Sequence, residues 1–295
     1  MVNEARWASF NKAFQKADSL FHEAFTMVDY VQPEHLFEAA KNSNEAGDMA
    51  ACYKYCLESL SKNMYWEEIT ELKEFSGTSW FHKLTAQRDS LQTVSTKNTN
   101  KEWCILVDSM FHRDQSHRND NNDKVQRKLD SLNLNIIKEI IRRDGKMPGL
   151  REVGHKGVDF LDIIFRHTEE RYRLDTLANI IIRQSLQGDF PPEIPSKFID
   201  HACWFDADLP YHFTRVVFGL AMRTGGKSVL VPLRNNIKCV NKLRTSIGLM
   251  PLERMIEMKG YVLYSDKEFE ENFKGFFMST PPRRPFIVNC DISEL

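Results

Sequence analysis

The sequence predicts a mainly α fold: a helical-repeat-like N-terminal unit, then a larger α-helical domain with at most short strands. Three observations carry this. Glycine and proline number only 13 and 11 among 295 residues, too few for a turn-rich β fold. Apolar residues recur every three or four positions along most of the chain, the period of a helix with one buried face. The breaks between these stretches fall at turn formers such as Gly47-Asp48, Gly145 and Pro191-Pro192. With 42% hydrophobic and 27% charged residues, the chain can bury a sizeable core and is not disordered.

Taken in order, Trp7, Phe10, Phe14, Leu20, Phe21, Phe25 and Val28 predict one amphipathic helix over 4–29. Pro33 suits a first helical turn. Leu36, Phe37 and Ala40 continue that helix to the break at Gly47-Asp48, and 49–60 predicts a partner, so the two form a helical hairpin. Trp66, Leu72, Phe75, Trp80 and Phe81 predict one or two short helices over 65–83. The polar stretch 85–100 predicts a linker, dividing an N-terminal unit (1–90) from a larger domain (101–295). In that domain Trp103, Leu106, Val107, Met110 and Phe111 mark one helix. Val125, Leu129, Leu132, Ile136 and Ile140 mark the next, which ends at Gly145 as a left-handed C-cap. Val158, Leu161, Ile164 and Phe165 mark a third; Leu174, Leu177, Ile180 and Ile181 mark a fourth. Further helices are predicted near 195–205, 210–223, 234–247, 251–259 and 267–278. Short extended pieces are predicted at Val229-Leu230-Val231 and Phe286-Ile287-Val288.

Composition narrows the function classes. Lys plus Arg number 40 and Asp plus Glu 41, so no global basic field exists to hold nucleic acid. No run of 18 apolar residues is present, so no membrane span is expected. The first residues hold no apolar signal core. A cytoplasmic location is the expectation, with export after removal of a leader as the alternative. The six cysteines lack the C-x2-C spacing of a structural zinc site and read as free buried thiols.

Polar groups at core positions single out one region. Asp114 lies four residues after Met110 and seven after Val107, on the apolar face. His117 and Arg118 follow at three and four, and Asp130 and Asn133 share a face of the next helix. His167 lies three after Ile164, again on the buried side. A polar group in a core is costly unless it is paired or used. One reading is a pocket in which Asp114 or Asp130 orients His167 as a general base. Gln115, His117, Arg118 and Asn133 would then bind ligand, with Arg118 taking an anionic group. A metal version would use His117, His167 and one carboxylate, but no metal-binding motif is present and no cofactor is indicated. The other reading is a buried network that sets helix register. His155, Asp159, Asp162 and Arg166 share a second face; His and Asp at four-residue spacing can chelate a metal, but a solvated face with local ion pairs is the expectation. Arg223-Thr224-Gly225-Gly226-Lys227-Ser228 lacks the first glycine of a phosphate loop and reads as a turn into a strand.

Two resemblances follow from these residues. Ala40, Cys52 and Ser59 at small positions, Gly47 in the turn, and Leu36, Phe37 and Cys56 nearby resemble a tetratricopeptide-type repeat over about one repeat length. Ser43 and Asn63 depart from it, where tyrosine and proline are usual. Asp114-Gln115-Ser116-His117-Arg118, Asp130 with Asn133, Gly145 with Pro148, Val153-Gly154, His167 and Arg244-Thr245-Ser246-Ile247-Gly248-Leu249 together resemble an uncharacterised bacterial domain family. That family is often attached to tetratricopeptide-like helices. The resemblance implies a fold and a site location and brings no known reaction. Lys146-Met147 stand where its loop carries an aromatic, Arg166 where a glutamine precedes the histidine, and its Gln, Tyr and Gly-rich tail is missing. The leading expectation is a protein-, peptide- or ligand-binding module. The alternative is an enzyme, possibly a hydrolase, acting through His167 with Asp114 or Asp130.

Overall fold

At the first helix break, packing of small residues decides what helical spacing alone does not. The computed structural model describes residues 1–118, 123–168, 172, 176–205, 221–224, 227–230 and 237–263. Among them lie fifteen helices and three strands of two to four residues, so the fold is mainly α. None of these helices is long and apolar enough to cross a membrane. The chain divides into two units, Met1–Ser116 with Pro148–Leu161, and His117–Met147 with Asp162–Leu295.

In the first unit the predicted helix over 4–29 is two helices, α1 (Val2–Phe10) and α2 (Phe14–Thr26). Lys12 turns the chain with φ 59°. The reversal buries Ala5, Ala8 and Ala17 with Phe21 and Ala39, which one straight helix would spread along its length. Val28, predicted in the stripe, is 52% exposed as a result.

The predicted hairpin forms as α3 (Pro33–Glu45) and α4 (Met49–Ser61). Gly47 takes φ 78°, and the Asp48 carboxylate caps α4 by accepting the Ala51 N–H at 2.9 Å. Cys52 and Cys56 are fully buried free thiols packed with Phe37, Ala40 and Leu60. The same core takes in Ile69, Leu72, Phe75 and Leu84 from α5 (Trp66–Thr70), α6 (Lys73–Ser76), α7 (Ser79–Ala86) and the segments joining them. Asn44 anchors this edge, accepting the Phe75 N–H at 2.9 Å and donating to Glu74 at 2.8 Å.

Residues 85–100 are not a linker: Arg88–Lys97 forms α8. Its polar composition hid one buried contact, where Ser95 donates to Asn63 at 2.8 Å. Asn100 then caps α9 (Lys101–Gln115), accepting from the N–H groups of Glu102 and Trp103. Phe111 on α9 stacks on Phe160 at 3.8 Å. Phe160 belongs to α11 (Leu150–Arg166), which is interrupted at Gly154 with φ 68° and ψ −177°. The interruption comes shortly before Val158, where the sequence marks the start of the third helix of this domain.

In the second unit α10 (Asp123–Asp144) buries Gln126, Asn133, Leu134, Ile137 and Ile140. Leu132, predicted in its stripe, is 44% exposed. Steps of three and four fit two adjacent faces of one helix, and packing selected the one bearing Asn133. Gly145 is left-handed with φ 68°, as its C-cap role requires. Gln184 on α12 (Ala178–Leu186) clamps the loop that follows: it accepts the Met147 N–H at 2.9 Å and donates to the Met147 carbonyl at 2.7 Å. Phe165 packs on Phe190 and on Phe198 of α13 (Glu193–Phe205).

The short extended piece predicted at Val229 is real. β1 (Ala221–Thr224) pairs antiparallel with β2 (Lys227–Leu230), and β2 pairs parallel with β3 (Val262–Leu263). Residues 221–223 are therefore strand where helix was predicted, because backbone pairing leaves no mark in helical spacing. Lys227 and Ser228 lie in β2 rather than at a helix start, which removes the phosphate-loop reading. Leu230 packs with Val240 of α14 (Ile237–Ser246) and Leu252 of α15 (Leu252–Lys259). Leu174, Gly225-Gly226, most of the helix predicted over 210–223, the helix near 267–278 and the extended piece at 286–288 lie outside the described residues. Cys239 is disulfide-bonded, which corrects the expectation of a free thiol there. Scatter along the sequence says nothing about distance in the fold.

Candidate functional site

Asp114 and Asn133 face inward as the spacing predicts, each 1% exposed. Asp114 accepts from Gln115, which is itself exposed. These two belong to the first unit; His117, Arg118, Asp130, Asn133 and His167 belong to the second. Helix α9 stops at Gln115, and Ser116 to Arg118 form a turn. Helical spacing therefore does not relate His117 and Arg118 to Asp114. His167 follows the end of α11 and is half-buried, its N–H donating to the Ile164 carbonyl at 3.1 Å.

Within the second unit, Arg118 and Asp130 do come together. Arg118 Nη2 meets Asp130 Oδ1 at 2.6 Å and Nη1 meets Oδ2 at 3.4 Å, a forked ion pair. Gln126, one turn before Asp130, adds a bond to Oδ1 at 3.0 Å. Both oxygens of Asp130 are thus held by donors. Asp130→Asn is expected to lower stability by about 1–3 kcal/mol, the range for a charge-assisted bond. Urea unfolding measures it, and a midpoint equal to wild type would remove Asp130 from the network.

Another ionisable cluster among the described residues was predicted only in part. It lies in the first unit, where the N-terminus of α3 meets the stretch of α11 after Gly154. Glu34 sits in the first turn of α3, where the helix dipole favours a carboxylate. Its Oε1 is 2.5 Å from His155 Nδ1. On the other side of the ring, His155 Nε2 is 3.6 Å from Asp159 Oδ2. Tyr65 donates to that same oxygen at 2.9 Å and sets its ring edge-on to His155 at 5.0 Å. The His155 side chain is only 13% exposed, while Asp159 is 46% exposed.

Burial opposes the charge on both members of the inner pair, and the pairing outweighs it. Burial raises the Glu34 pKa, but the close contact and charge of His155 bring it below the usual carboxylate value. Burial lowers that of His155, but Glu34, then Asp159 and Glu68, carry it above the usual imidazole value. His155 and Asp159 had read as part of a solvated face. A four-residue spacing identifies a shared face but not what covers it, and here Glu34 and Tyr65 do. The acidic first turn after Pro33 was the available signal for Glu34.

Other buried charges have local partners. Arg244 donates to the Met250 carbonyl at 2.7 Å. Burial lowers its pKa to about 10, against the opposing charges of Asp200, Glu193 and Glu253. Asp162 meets Arg166 at 3.5 Å and Lys197 at 3.9 Å. Among the described residues no group of three or more His, Cys, Asp or Glu is arranged to hold a metal ion. No family model, curated protein or solved structure matches the chain.

Proposed function

We propose that the chain is a binding module whose first unit takes up a protein or peptide partner on an aromatic face of α4, α5, α7 and α8. One observation carries this reading. Tyr53 and Trp80 pack with centroids 5.2 Å apart, and Trp66 and Phe81 at 5.9 Å, giving two ring pairs that share α7. Trp80 is 36% exposed. Lys83 lies 5.0 Å over Tyr53 and 5.4 Å over Trp80, and Arg88 lies 5.0 Å over Trp66. Neither cation has a carboxylate partner among the described residues. Partly exposed aromatics beside unpaired cations are the composition of binding hot spots. They suit an acidic peptide with apolar side chains.

The competing reading is an enzyme acting through His167 with Asp114 or Asp130. No comparable observation favours it, since Arg118 and Gln126 already hold both oxygens of Asp130.

Selection from a random peptide library, with counter-selection on Trp80→Ala, tests the binding reading. The expected result is enriched acidic–apolar peptides that lose roughly 30-fold or more in affinity with Trp80→Ala, the loss of a hot-spot residue. Lys83→Glu should weaken them as well. If nothing enriches over the Trp80→Ala background, this face is not the binding surface.

A further inference from the structure

We propose that His155 is a proton-operated latch that holds residues 148–161 against the N-terminus of α3. The inference is independent of what the aromatic face binds. Its basis is geometric. One imidazole lies between two carboxylates from different elements, Glu34 on α3 at 2.5 Å and Asp159 on its own helix at 3.6 Å. Tyr65, just before α5, closes the cluster by donating to Asp159.

All the charged groups acting on the ring favour its cationic form. Glu34 does so from α3, Asp159 from α11 and Glu68 from α5. On α3, His35 also acts on Glu34, in the same sense as His155. Phenolic Tyr65 stays neutral, since burial raises its pKa and the charges of Asp159, Glu67 and Glu68 add to that. With a proton on His155, the cluster holds one cation between two anions. Without it, the carboxylate oxygens of Glu34, themselves shielded from water, lose their counter-charge beside a second anion. An unpaired buried carboxylate is costly, and the relief open to it is hydration by separation of α3 from α11.

The sign of the effect follows from the two shifts. His155 has a raised pKa when docked, so its contribution is complete below its undocked value. That contribution is lost as pH rises through the docked value. Glu34 has a lowered pKa when docked, so its contribution is present above the ordinary carboxylate value and lost as pH falls through the docked one. The latch therefore holds between the lowered Glu34 value and the raised His155 value, and releases on the alkaline side through His155.

The test uses the full chain and two readouts. The His155 ring is titrated by NMR in the wild type and in Glu34→Gln. Amide protection factors of residues 151–160 are then measured well below and well above the observed midpoint. The expected midpoint lies above the ordinary imidazole value and falls in Glu34→Gln. Protection of 151–160 should drop above the midpoint by about tenfold for each unit of wild-type elevation, while α1 and α2 keep theirs. His155→Gln should remove the pH step. A wild-type midpoint at or below the ordinary imidazole value overturns the proposal, and so does unchanged protection of 151–160 across the titration. Because the first readout is on the wild type, a poorly folding variant leaves the test intact.

Discussion

Gly154→Ala is expected to lower the stability of the first unit by about 2–6 kcal/mol, a large fraction of a domain's total stability. Two costs add. Gly154 has φ 68° and ψ −177°, a region essentially reserved for glycine, where another residue pays about 1–3 kcal/mol. A Cβ built there would lie 2.2 Å from Asn63 Nδ2 and 2.9 Å from Asn63 Cβ. Relieving an overpacked contact of this kind costs about 1–3 kcal/mol more. Asn63 has little freedom to yield. It already has φ 75°, and its Oδ1 accepts the hydroxyl of Ser95, which is 3% exposed. Moving Asn63 would therefore leave a buried hydroxyl unpaired.

Gly47→Ala is the control. Its φ is 78°, but a Cβ there meets nothing within 4 Å. Backbone strain alone should cost about 1 kcal/mol or somewhat more. Denaturant unfolding of the two variants compares a left-handed glycine that has room for a Cβ with one that has none. Equal losses would show that the contact with Asn63 carries no energy.

The second large effect is expected at Gln184→Leu, a loss of about 2–6 kcal/mol. Gln184 is 2% exposed and Met147 is fully buried. One side-chain amide satisfies both the N–H and the carbonyl of Met147. Leucine nearly keeps the volume but orphans both backbone groups, each at about 1–3 kcal/mol. Gln184→Glu adds a second discrimination. While protonated it keeps an acceptor for the Met147 N–H and an O–H donor for the carbonyl; ionisation removes that donor and leaves a charge in a closed site, so its stability should fall as pH rises. A loss below about 1 kcal/mol in Gln184→Leu, measured by urea unfolding at constant pH, would mean that water replaces the amide at no cost.

The two strongest features differ in how far the sequence shows them. Gly154 was legible only as a glycine shortly before the helix that Val158 marks. Its partner was not, since nothing near Asn63 in sequence points ninety residues ahead. Gln184 lies among Ile181, Ile182 and Ser185 without any mark of a backbone clamp. The inward-facing Asp114 and Asn133 were legible from spacing alone. The pairing of Arg118 with Asp130 was not, because Arg118 lies in the turn after α9 and helical arithmetic ends where the helix does.

The same division holds for the fold. By itself, the sequence determined the mainly α class, the hairpin around Gly47-Asp48, the Gly145 cap and the absence of a long apolar span. These follow from local chemistry: backbone freedom at glycine, caps at helix ends and the 3.6-residue period. Only the tertiary structure decided that residues 4–29 fold back at Lys12, that 85–100 holds a helix, and that His155 lies between Glu34 and Asp159. Each depends on which of several acceptable faces meets a partner distant in sequence. The free energy that makes this choice comes from burial and pairing across that distance, which no local pattern encodes.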